Sequence, residues 1–247
     1  MIKTRAIIDT HALLHNMQQV KKTAPGCPLM AVIKADAYGH GAVGLLQALQ
    51  QQSDALAVAR LEEARTLRSH GFTGRLLLLA GVSNHTELKE ALRLQLDMVV
   101  HDIAHLELFT NHTASSTDSA HLWLKMDTGM HRLGFAPDAF VQALASLRTL
   151  NWCRSVTGMT HFSSSDDLAK DKTNQQLACF QQHSQGLALD GVSLANSAGL
   201  LAWPAARKGW LRPGLMLYGV NPLDEQRYPT NLLPVMQLEA QVIGNKN

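Results

Sequence analysis

The sequence predicts an α/β barrel of eight parallel strands that alternate with helices, the (β/α)8 or TIM-barrel class. The chain has 247 residues, close to the ~250 residues typical of such barrels. Short apolar runs recur along it, and longer segments with helical apolar spacing separate them. Because strands that alternate with helices pair in parallel through right-handed crossovers, closure of eight units gives a barrel. An open doubly wound sheet is the alternative.

The predicted strands are eight β-rich apolar runs. They cover residues 29–33, 55–59, 75–79, 97–100, 121–126, 155–160, 191–194 and 215–218. Segments 62–69, 84–94 and 174–187 show the apolar spacing of helices. Residues 7–16 precede the first run and predict an additional strand and helix. Because no linker, low-complexity tract or short repeat interrupts the chain, residues 1–247 are predicted to form one domain.

The composition excludes several classes of protein. The net charge is +2, with lysine and arginine spread along the chain, which argues against a nucleic-acid partner. No apolar run approaches the ~20 residues that span a bilayer, and the first residues do not resemble a signal peptide. Cys27, Cys153 and Cys179 are far apart and odd in number, so neither a disulfide framework nor a cysteine metal site is expected. We expect a cytoplasmic protein without a membrane contact.

Polar residues follow several of the predicted strands. Lys34, Arg132, His161 and Asn196 lie at or just beyond strand ends, and Gly214 begins the last apolar run. In a barrel, the residues at the carboxyl ends of the strands share one rim, where the chemistry of such folds lies. We therefore expect these residues, distant in sequence, to line one pocket.

The segment that follows the first predicted strand carries the strongest signal. Residues 31–41 read AVIKADAYGHG, with Lys34 directly after a buried apolar run. Burying an ammonium is costly, and desolvation favours the neutral amine, which is a nucleophile. The alternative is a lysine whose stem packs while its head reaches water.

This segment closely resembles the cofactor-lysine signature of alanine racemases, which are pyridoxal-phosphate enzymes of fold type III. The resemblance implies that Lys34 carries pyridoxal 5'-phosphate as a Schiff base and serves as one of two catalytic bases. It also implies that Tyr38 contacts the cofactor phosphate. Without the surrounding motif, Tyr38 would be interpreted as a half-buried aromatic residue with a satisfied hydroxyl.

A second segment is similar to the same family. Residues 125–134 read KMDTGMHRLG, against a family pattern KxDTGMxRLG. By this resemblance Arg132 interacts with the cofactor phenolic oxygen and binds the substrate carboxylate, a task that suits the guanidinium fork. Lys125 matches a lysine that is carbamylated in some members and orients the arginine. The alternatives are an exposed ion pair for Arg132 and a snorkelling side chain for Lys125.

Two shorter matches follow the sixth and seventh runs. His161 resembles the family histidine that packs on the pyridine ring, and Asn196 and Ser197 match residues that bind the cofactor phosphate. Ser197 is also suited to cap the next helix, whose free amides attract an anion. The histidines show no compact zinc spacing with cysteine or glutamate, so no metal is expected.

The last match is RPGLMLYG at residues 212–219, which resembles the family's RPGxxLYG. It implies that Arg212 faces the pyridine nitrogen, where a fixed cation weakens the ring as an electron sink. It implies that Gly214 and Leu215 donate backbone amides to the phosphate, and it places Tyr218 among the cofactor contacts. An ordinary turn glycine after proline is the alternative for Gly214.

Together the matches imply interconversion of L- and D-alanine, with D-alanine supplied for peptidoglycan. In the family the second base is a tyrosine from the C-terminal β-domain of a partner subunit, and this sequence has no counterpart of that domain. We therefore expect a chain that binds the cofactor, racemises alanine poorly alone, and is compatible with a homodimer. Two alternatives are a non-catalytic pyridoxal-phosphate homeostasis protein and a decarboxylase of the same fold type. The basic Arg212 argues against the decarboxylase, which usually presents an acidic residue to the pyridine nitrogen.

Overall fold

The computed structural model describes residues 4–224 and 230–244. A curled sheet of seven parallel strands lies at its centre, with the strands adjacent in chain order. They are β2 (Met30–Val32), β3 (Ala55–Val58), β4 (Leu76–Leu78), β5 (Asp97–Val100), β6 (Ala120–Lys125), β7 (Cys153–Met159) and β8 (Gly191–Ser193). Seven of the eight predicted runs are thus strands of one sheet, and the barrel class is confirmed.

Helices surround the sheet on its outer side. They are α1 (Thr10–Thr23), α2 (Lys34–Gly39), α3 (Ala42–Gln52), α4 (Leu61–Ser69), α5 (His85–Arg93), α6 (Ile103–Thr110), α7 (Pro137–Arg148), α8 (Lys172–Ser184) and α9 (Ser197–Ala202). The three predicted helices correspond to α4, α5 and α8. A separate two-stranded antiparallel sheet pairs β1 (Thr4–Ile8) with β9 (Met236–Ala240), so the predicted additional strand and helix at the start of the chain are confirmed. No helix among the described residues is both long enough and apolar enough to cross a bilayer.

The eighth predicted strand is wrong. Residues 215–218 form a 3-10 helix, Leu215–Tyr218, and not a strand. Three of its four residues are buried, so the apolar run does belong to the core. Periodicity alone cannot distinguish a short buried strand from a short buried helical segment, and here the helical alternative is the one that occurs.

The preceding segment, residues 209–213, closes the barrel. On one side the Leu211 carbonyl accepts a hydrogen bond of 2.9 Å from the Met30 amide of β2. On the other side the Arg212 amide donates to the Ala195 carbonyl, just beyond β8, at 3.0 Å. The segment therefore bridges the first and last strands of the sheet, and it brings Arg212 to the same rim as the other strand ends.

Side chains fill the interior of the barrel. Alternate residues of the strands point inward and form a cluster that consists of Met30, Val32, Ala55, Ala57, Leu77, Val99, Trp123 and Met159. A larger apolar cluster lies between the strands and the helices. Because the interior is packed, open space for a ligand is confined to the rim.

Candidate active site

A cavity of about 550 Å³ lies at the carboxyl ends of the strands. It brings together the predicted site residues, apart from Tyr218. Those on its wall are Lys34, Tyr38, Lys125, Arg132, His161, Asn196, Ser197, Arg212, Gly214 and Leu215. Residues separated by up to 181 positions (from Lys34 to Leu215) thus share one pocket, as the barrel rim predicts. Their individual roles stay predictions.

Tyr218 lies behind the cavity wall and does not line it. Its buried hydroxyl donates to the Val32 carbonyl at 3.2 Å. Its ring packs against Tyr38, with 5.0 Å between the ring centroids, and against His40 at 4.5 Å. Burial raises the pKa of Tyr218 far above its usual range, so the hydroxyl stays protonated. The structure therefore places Tyr218 as a support for Tyr38.

The turn that carries Lys34 has an unusual backbone. Four consecutive residues of α2, from Ala35 to Tyr38, have φ angles of 53, 52, 57 and 54°. This is the left-handed region, which costs an L-residue roughly 1–2 kcal/mol. The turn directs two side chains to the cavity, and the Lys34 ammonium lies 5.9 Å from the centre of the Tyr38 ring. Lys34 is only partly buried, so its amine lies at the mouth of the cavity and is not enclosed.

Glu63 of α4 holds this turn in place. Its carboxylate accepts the Ala35 amide at 2.5 Å, the Ala59 amide at 2.8 Å and the Arg60 amide at 2.9 Å. Glu63 lies in the first turn of α4, where an acidic residue is expected for its favourable charge at the helix start. A glutamate at the third helical position is a known capping signal, but nothing in the sequence indicated the bond to Ala35.

Positive charge dominates the cavity wall. Lys34, Lys125, Arg132 and Arg212 all line it, together with the carboxylate of Asp166. Burial, reinforced by the charges of Arg212 and Arg132, lowers the pKa of Lys125 to about 8. The cavity therefore attracts anions such as a phosphate or a carboxylate, and the Lys125 amine is partly neutral near physiological pH.

Arg212 is buried, with 4% of its surface exposed. Its guanidinium donates to the Ser193 hydroxyl and, at 2.5 Å, to the Thr160 carbonyl. Burial lowers the pKa of Arg212 to about 10, so the group keeps its charge at neutral pH. Burial and the charges of Arg212 and Lys125 lower the pKa of His161 to about 3. His161 therefore offers the cavity a neutral ring.

One end of the cavity is built from backbone amides. The Ser197 hydroxyl accepts the Gly214 amide at 3.0 Å and the Met216 amide at 3.3 Å. A Cβ atom at Gly214 would lie 2.4 Å from the Tyr38 hydroxyl, so only glycine allows the tyrosine to approach this backbone. The Ser197 hydroxyl, which still has its own proton to donate, and the Tyr38 hydroxyl converge here and are suitable donors to a phosphate.

The helix cap at this end differs from the prediction. We expected Ser197 to cap the helix, but Asn196 is the cap of α9. Its side-chain oxygen accepts the Gly199 amide at 2.8 Å and the Ser165 hydroxyl at 2.9 Å. Because Asn196 satisfies the helix end, the Ser197 hydroxyl is free to bind the amides of the neighbouring loop.

The loop that carries Arg132 is organised by one carboxylate. The Asp127 side chain accepts the amides of Gly129 at 2.9 Å, Met130 at 3.0 Å and His131 at 3.0 Å. This turn reverses the chain directly after β6 and brings Arg132 back to the cavity mouth, where it is exposed. An exposed guanidinium on a fixed loop can bind a carboxylate that enters from solvent.

Sequence reasoning missed Gln176, a fully buried residue of α8. Its side-chain amide donates to the Thr128 hydroxyl at 3.2 Å and to the His161 carbonyl at 3.0 Å. Its oxygen accepts the Ser163 amide at 2.9 Å. Gln176 thus connects the loop of Arg132 to the segment of His161. A glutamine in an amphipathic helix gives no sequence signal for such long-range contacts.

Comparison with known proteins identifies the family. The profile described as "Alanine racemase, N-terminal domain" matches residues 8–222. The chain belongs to the alanine racemase family. It is 42% identical over 245 residues to "Alanine racemase, catabolic" of Pseudomonas putida, which covers 99% of this chain and 68% of that protein. It is 41% identical to "Alanine racemase" of Yersinia pestis, with 97% of this chain and 66% of that protein covered.

Solved structures agree with the sequence comparison. The biosynthetic alanine racemase of Pseudomonas aeruginosa superposes with a TM-score of 0.91 at 40% identity, and covers 96% of this chain and 66% of that one. The alanine racemase of Acinetobacter baumannii gives a TM-score of 0.92 at 30% identity, over 99% of this chain and 68% of that one. The chain thus spans about two thirds of the length of the relatives that it matches.

The alanine racemase family consists of isomerases that depend on pyridoxal 5'-phosphate. The cavity fits that cofactor on three separate grounds. Lys34 offers an amine at the mouth, His161 offers a neutral ring, and Ser197 with Gly214 forms a cradle for an anion. A phosphate, an aromatic ring and an aldehyde therefore each have a complementary group on one wall.

Proposed function

We propose that this chain interconverts L- and D-alanine with pyridoxal 5'-phosphate bound covalently at Lys34. The convergence of Lys34, Arg132 and Arg212 on one cavity is the observation that carries the proposal. Lys34 places an amine at the cavity mouth, Arg132 an exposed guanidinium, and Arg212 a buried guanidinium that is permanently charged. Racemisation needs an amine that moves a proton, a group that holds a carboxylate, and a fixed charge beside the cofactor.

The residues that would hold the cofactor follow from the wall of the cavity. The Ser197 hydroxyl, the Gly214 and Leu215 amides, Asn196 and the Tyr38 hydroxyl would bind the phosphate. His161 would pack on the ring as a neutral imidazole. When bound, pyridoxal phosphate would pass from Lys34 to the substrate amine, which frees the Lys34 amine, and would withdraw electrons from the substrate α-carbon.

Each cationic group then has a distinct task. The Lys34 amine takes or returns the α-proton on its own face of the substrate. Arg132 holds the substrate carboxylate at the cavity mouth. Arg212 keeps its charge at neutral pH and, facing the ring nitrogen, disfavours protonation there. Lys125 lies close enough to repel Arg132 and Arg212, and we propose that its neutral amine adds carbon dioxide and loses a proton, which gives a carbamate anion that orients Arg132.

Inversion of a stereocentre needs proton-transfer groups on both faces. The Tyr218 hydroxyl is buried against the Val32 carbonyl, and the Tyr38 hydroxyl approaches Gly214. Neither of these two tyrosines, which are the ones in the described part of the chain, suits the face opposite Lys34. We therefore propose that a tyrosine of a partner subunit serves that face, that the active form is a homodimer, and that residues 1–247 form the cofactor-binding domain and racemise alanine poorly by themselves.

The physiological role that we propose is the supply of D-alanine for peptidoglycan in the cytoplasm, without nucleic-acid partners. A catabolic role is the second candidate, because the 42%-identical relative from Pseudomonas putida carries the name "Alanine racemase, catabolic". Deletion in the host of the gene that encodes this chain distinguishes the two roles. A requirement for added D-alanine supports the biosynthetic role, and loss of growth on alanine as the carbon source supports the catabolic one.

The covalent step is tested by absorbance and mass spectrometry. Pyridoxal phosphate is added to the purified chain, the adduct is reduced with borohydride, and the modified peptide is mapped. We expect the modification on Lys34, and Lys34→Ala should lose it while keeping the far-UV circular dichroism spectrum. Lys125→Met is the matched control, because it removes the other lysine of the same cavity and should leave the adduct in place. Modification of Lys125 alone would contradict the assignment.

Turnover tests the reaction class. Formation of D-alanine from L-alanine above the rate of Lys34→Ala supports a racemase. Release of carbon dioxide would identify a decarboxylase, and a Lys34 adduct without either product would identify a cofactor carrier. A rate near that of a full-length family member would overturn the proposal that the second base lies outside this chain.

A further inference from the structure

A second cluster of titratable side chains lies outside the cavity, at the carboxyl end of β5. His101 directly follows the strand, Asp102 is the cap of α6, and His105 lies in the first turn of that helix. One ligand atom from each residue lies within 4.8 Å of the other two. The sequence HDIAH brings two histidines and an aspartate within five positions, 101–105, whereas the expectation of no metal rested on spacings of histidine with cysteine or glutamate.

The hydrogen bonds of His101 define which ring nitrogen carries the proton. Its Nε2 atom lies 3.0 Å from the Ala80 carbonyl oxygen. Since a carbonyl can only accept, Nε2 is the donor, and a neutral ring then presents a lone pair at Nδ1. That lone pair lies 3.3 Å from the Asp102 carboxylate. Two lone pairs at this distance repel each other unless a cation lies between them.

His105 presents a second unpaired nitrogen. Only 7% of His105 and 8% of His101 is exposed, and the Nδ1 atoms of both rings are buried without a hydrogen-bond partner in the described structure. Buried polar atoms in native proteins nearly always have a partner.

The surroundings hold the three side chains in place. The other carboxylate oxygen of Asp102 accepts the His105 amide at 3.0 Å, which fixes the carboxylate while one oxygen faces His101. A Cβ atom at Gly81 would lie 2.5 Å from the His105 ring, so glycine at this position makes room for the imidazole. The Asp102 side chain is 50% exposed, and this side leaves a path from solvent.

We propose that His101, Asp102 and His105 bind a divalent transition-metal ion of the zinc class, with water as the fourth ligand. Two imidazoles and a carboxylate are ligands that zinc accepts, and in a tetrahedral site neighbouring ligand atoms are roughly 3.3 Å apart. The separation between the His101 Nδ1 atom and the Asp102 carboxylate already has this value, and the His105 ligand atom, which lies within 4.8 Å of both, has to come closer to complete the site. The metal ties α6 to the strand ends beside Ala80, a residue of the cavity wall. The proposal does not depend on the racemase activity.

The test is calorimetric titration of the metal-stripped chain with zinc chloride. We expect one ion per chain, and a tetrahedral visible spectrum when cobalt(II) replaces zinc. His105→Gln and Asp102→Asn should each weaken binding by at least about tenfold. Asparagine is also a good helix cap, so Asp102→Asn removes the ligand charge while it preserves the start of α6. His85→Gln is the matched control, because His85 is an exposed residue in the first turn of the neighbouring helix α5.

The outcomes separate a metal site from a simple ion pair. Stoichiometric binding that both site variants weaken and the control variant retains supports the proposal. Absence of zinc binding to the unaltered chain would leave a simple contact between His101 and Asp102 and would overturn the proposal. Binding that survives His105→Gln and Asp102→Asn would place the metal elsewhere and overturn it as well.

Discussion

Two oxygens of the Glu63 carboxylate accept three backbone amides, one from the turn that carries Lys34 and two from the start of α4. Glu63→Gln replaces one acceptor oxygen by an amino group, which then faces an amide donor. These hydrogen bonds are exposed or half-buried, so losing one costs about 0.5–1.5 kcal/mol, the net contribution of an ordinary hydrogen bond. We expect the free energy of unfolding in urea to fall by this amount, and the affinity for pyridoxal phosphate to fall with it because Ala35 directly follows Lys34.

Glu62→Gln provides the control for that change. Glu62 is exposed in the same turn of α4, and its carboxylate has a 3.4 Å contact with Arg65. Exposed ion pairs contribute roughly 0–1 kcal/mol. Equal effects of the two substitutions on cofactor affinity would show that general helix charge, and not the bond to the Ala35 amide, supports the turn.

At the scale of single residues, sequence reasoning succeeded where a motif is contiguous. Lys34, Arg132 and Arg212 were each identified from short segments, and all three line the cavity. It failed for Gln176, which contacts the site through bonds to Thr128 and His161. The partners of Gln176 lie 48 and 15 residues away, and no local pattern encodes a contact that depends on how a helix is placed.

At the scale of elements, α2 departs most from ordinary geometry. Its first left-handed residue, Ala35, is exposed and has a φ of 53°. Glycine adopts this conformation without a steric penalty, whereas alanine pays roughly 1–2 kcal/mol. We expect Ala35→Gly to raise the free energy of unfolding by up to about 1 kcal/mol, measured by urea denaturation.

The same substitution in a right-handed helix supplies the comparison. Ala145 is an exposed residue inside α7, where replacement by glycine lowers stability by roughly 1 kcal/mol. The two alanine-to-glycine changes should therefore have opposite signs. A loss of stability at both positions would show that the left-handed turn is not strained.

The closing segment of the barrel shows why element prediction from sequence is incomplete. The run 215–218 is more apolar than residues 209–213, and this apolar character is why the sequence predicts it as the eighth strand. The segment that closes the sheet contains Gly209, with a φ of +58°, where a Cβ atom would lie 2.1 Å from the Val192 carbonyl oxygen. Closure depends on that close approach of two backbones, and hydrophobic periodicity does not report backbone contacts.

At the scale of the whole molecule, the cavity concentrates positive charge, and stability must depend on pH. His161 has a pKa of about 3 in the folded state against 6.5 as its ordinary value. Below pH 6.5 the unfolded chain binds a proton that the folded chain excludes, so stability falls as the pH falls, down to about pH 3. Between pH 7 and pH 5 this one ring should remove about 2 kcal/mol.

His161→Phe tests this dependence, because phenylalanine keeps an aromatic ring on the cavity wall and cannot bind a proton. Urea unfolding at pH 7 and at pH 5 gives, for each protein, the loss of stability on acidification. This loss should be about 2 kcal/mol larger for the unaltered chain than for His161→Phe. A second pair of measurements at pH 7 and pH 8 serves as the control, since the ring is neutral there in both the folded and the unfolded states. If His161→Phe loses as much stability between pH 7 and pH 5 as the unaltered chain does, the pKa of His161 is not lowered in the folded state, because the positive charges of the cavity are compensated in solution. If the loss is reduced as expected, burial of His161 and the charges of the four cationic side chains around it together lower the pKa of the ring in the folded state.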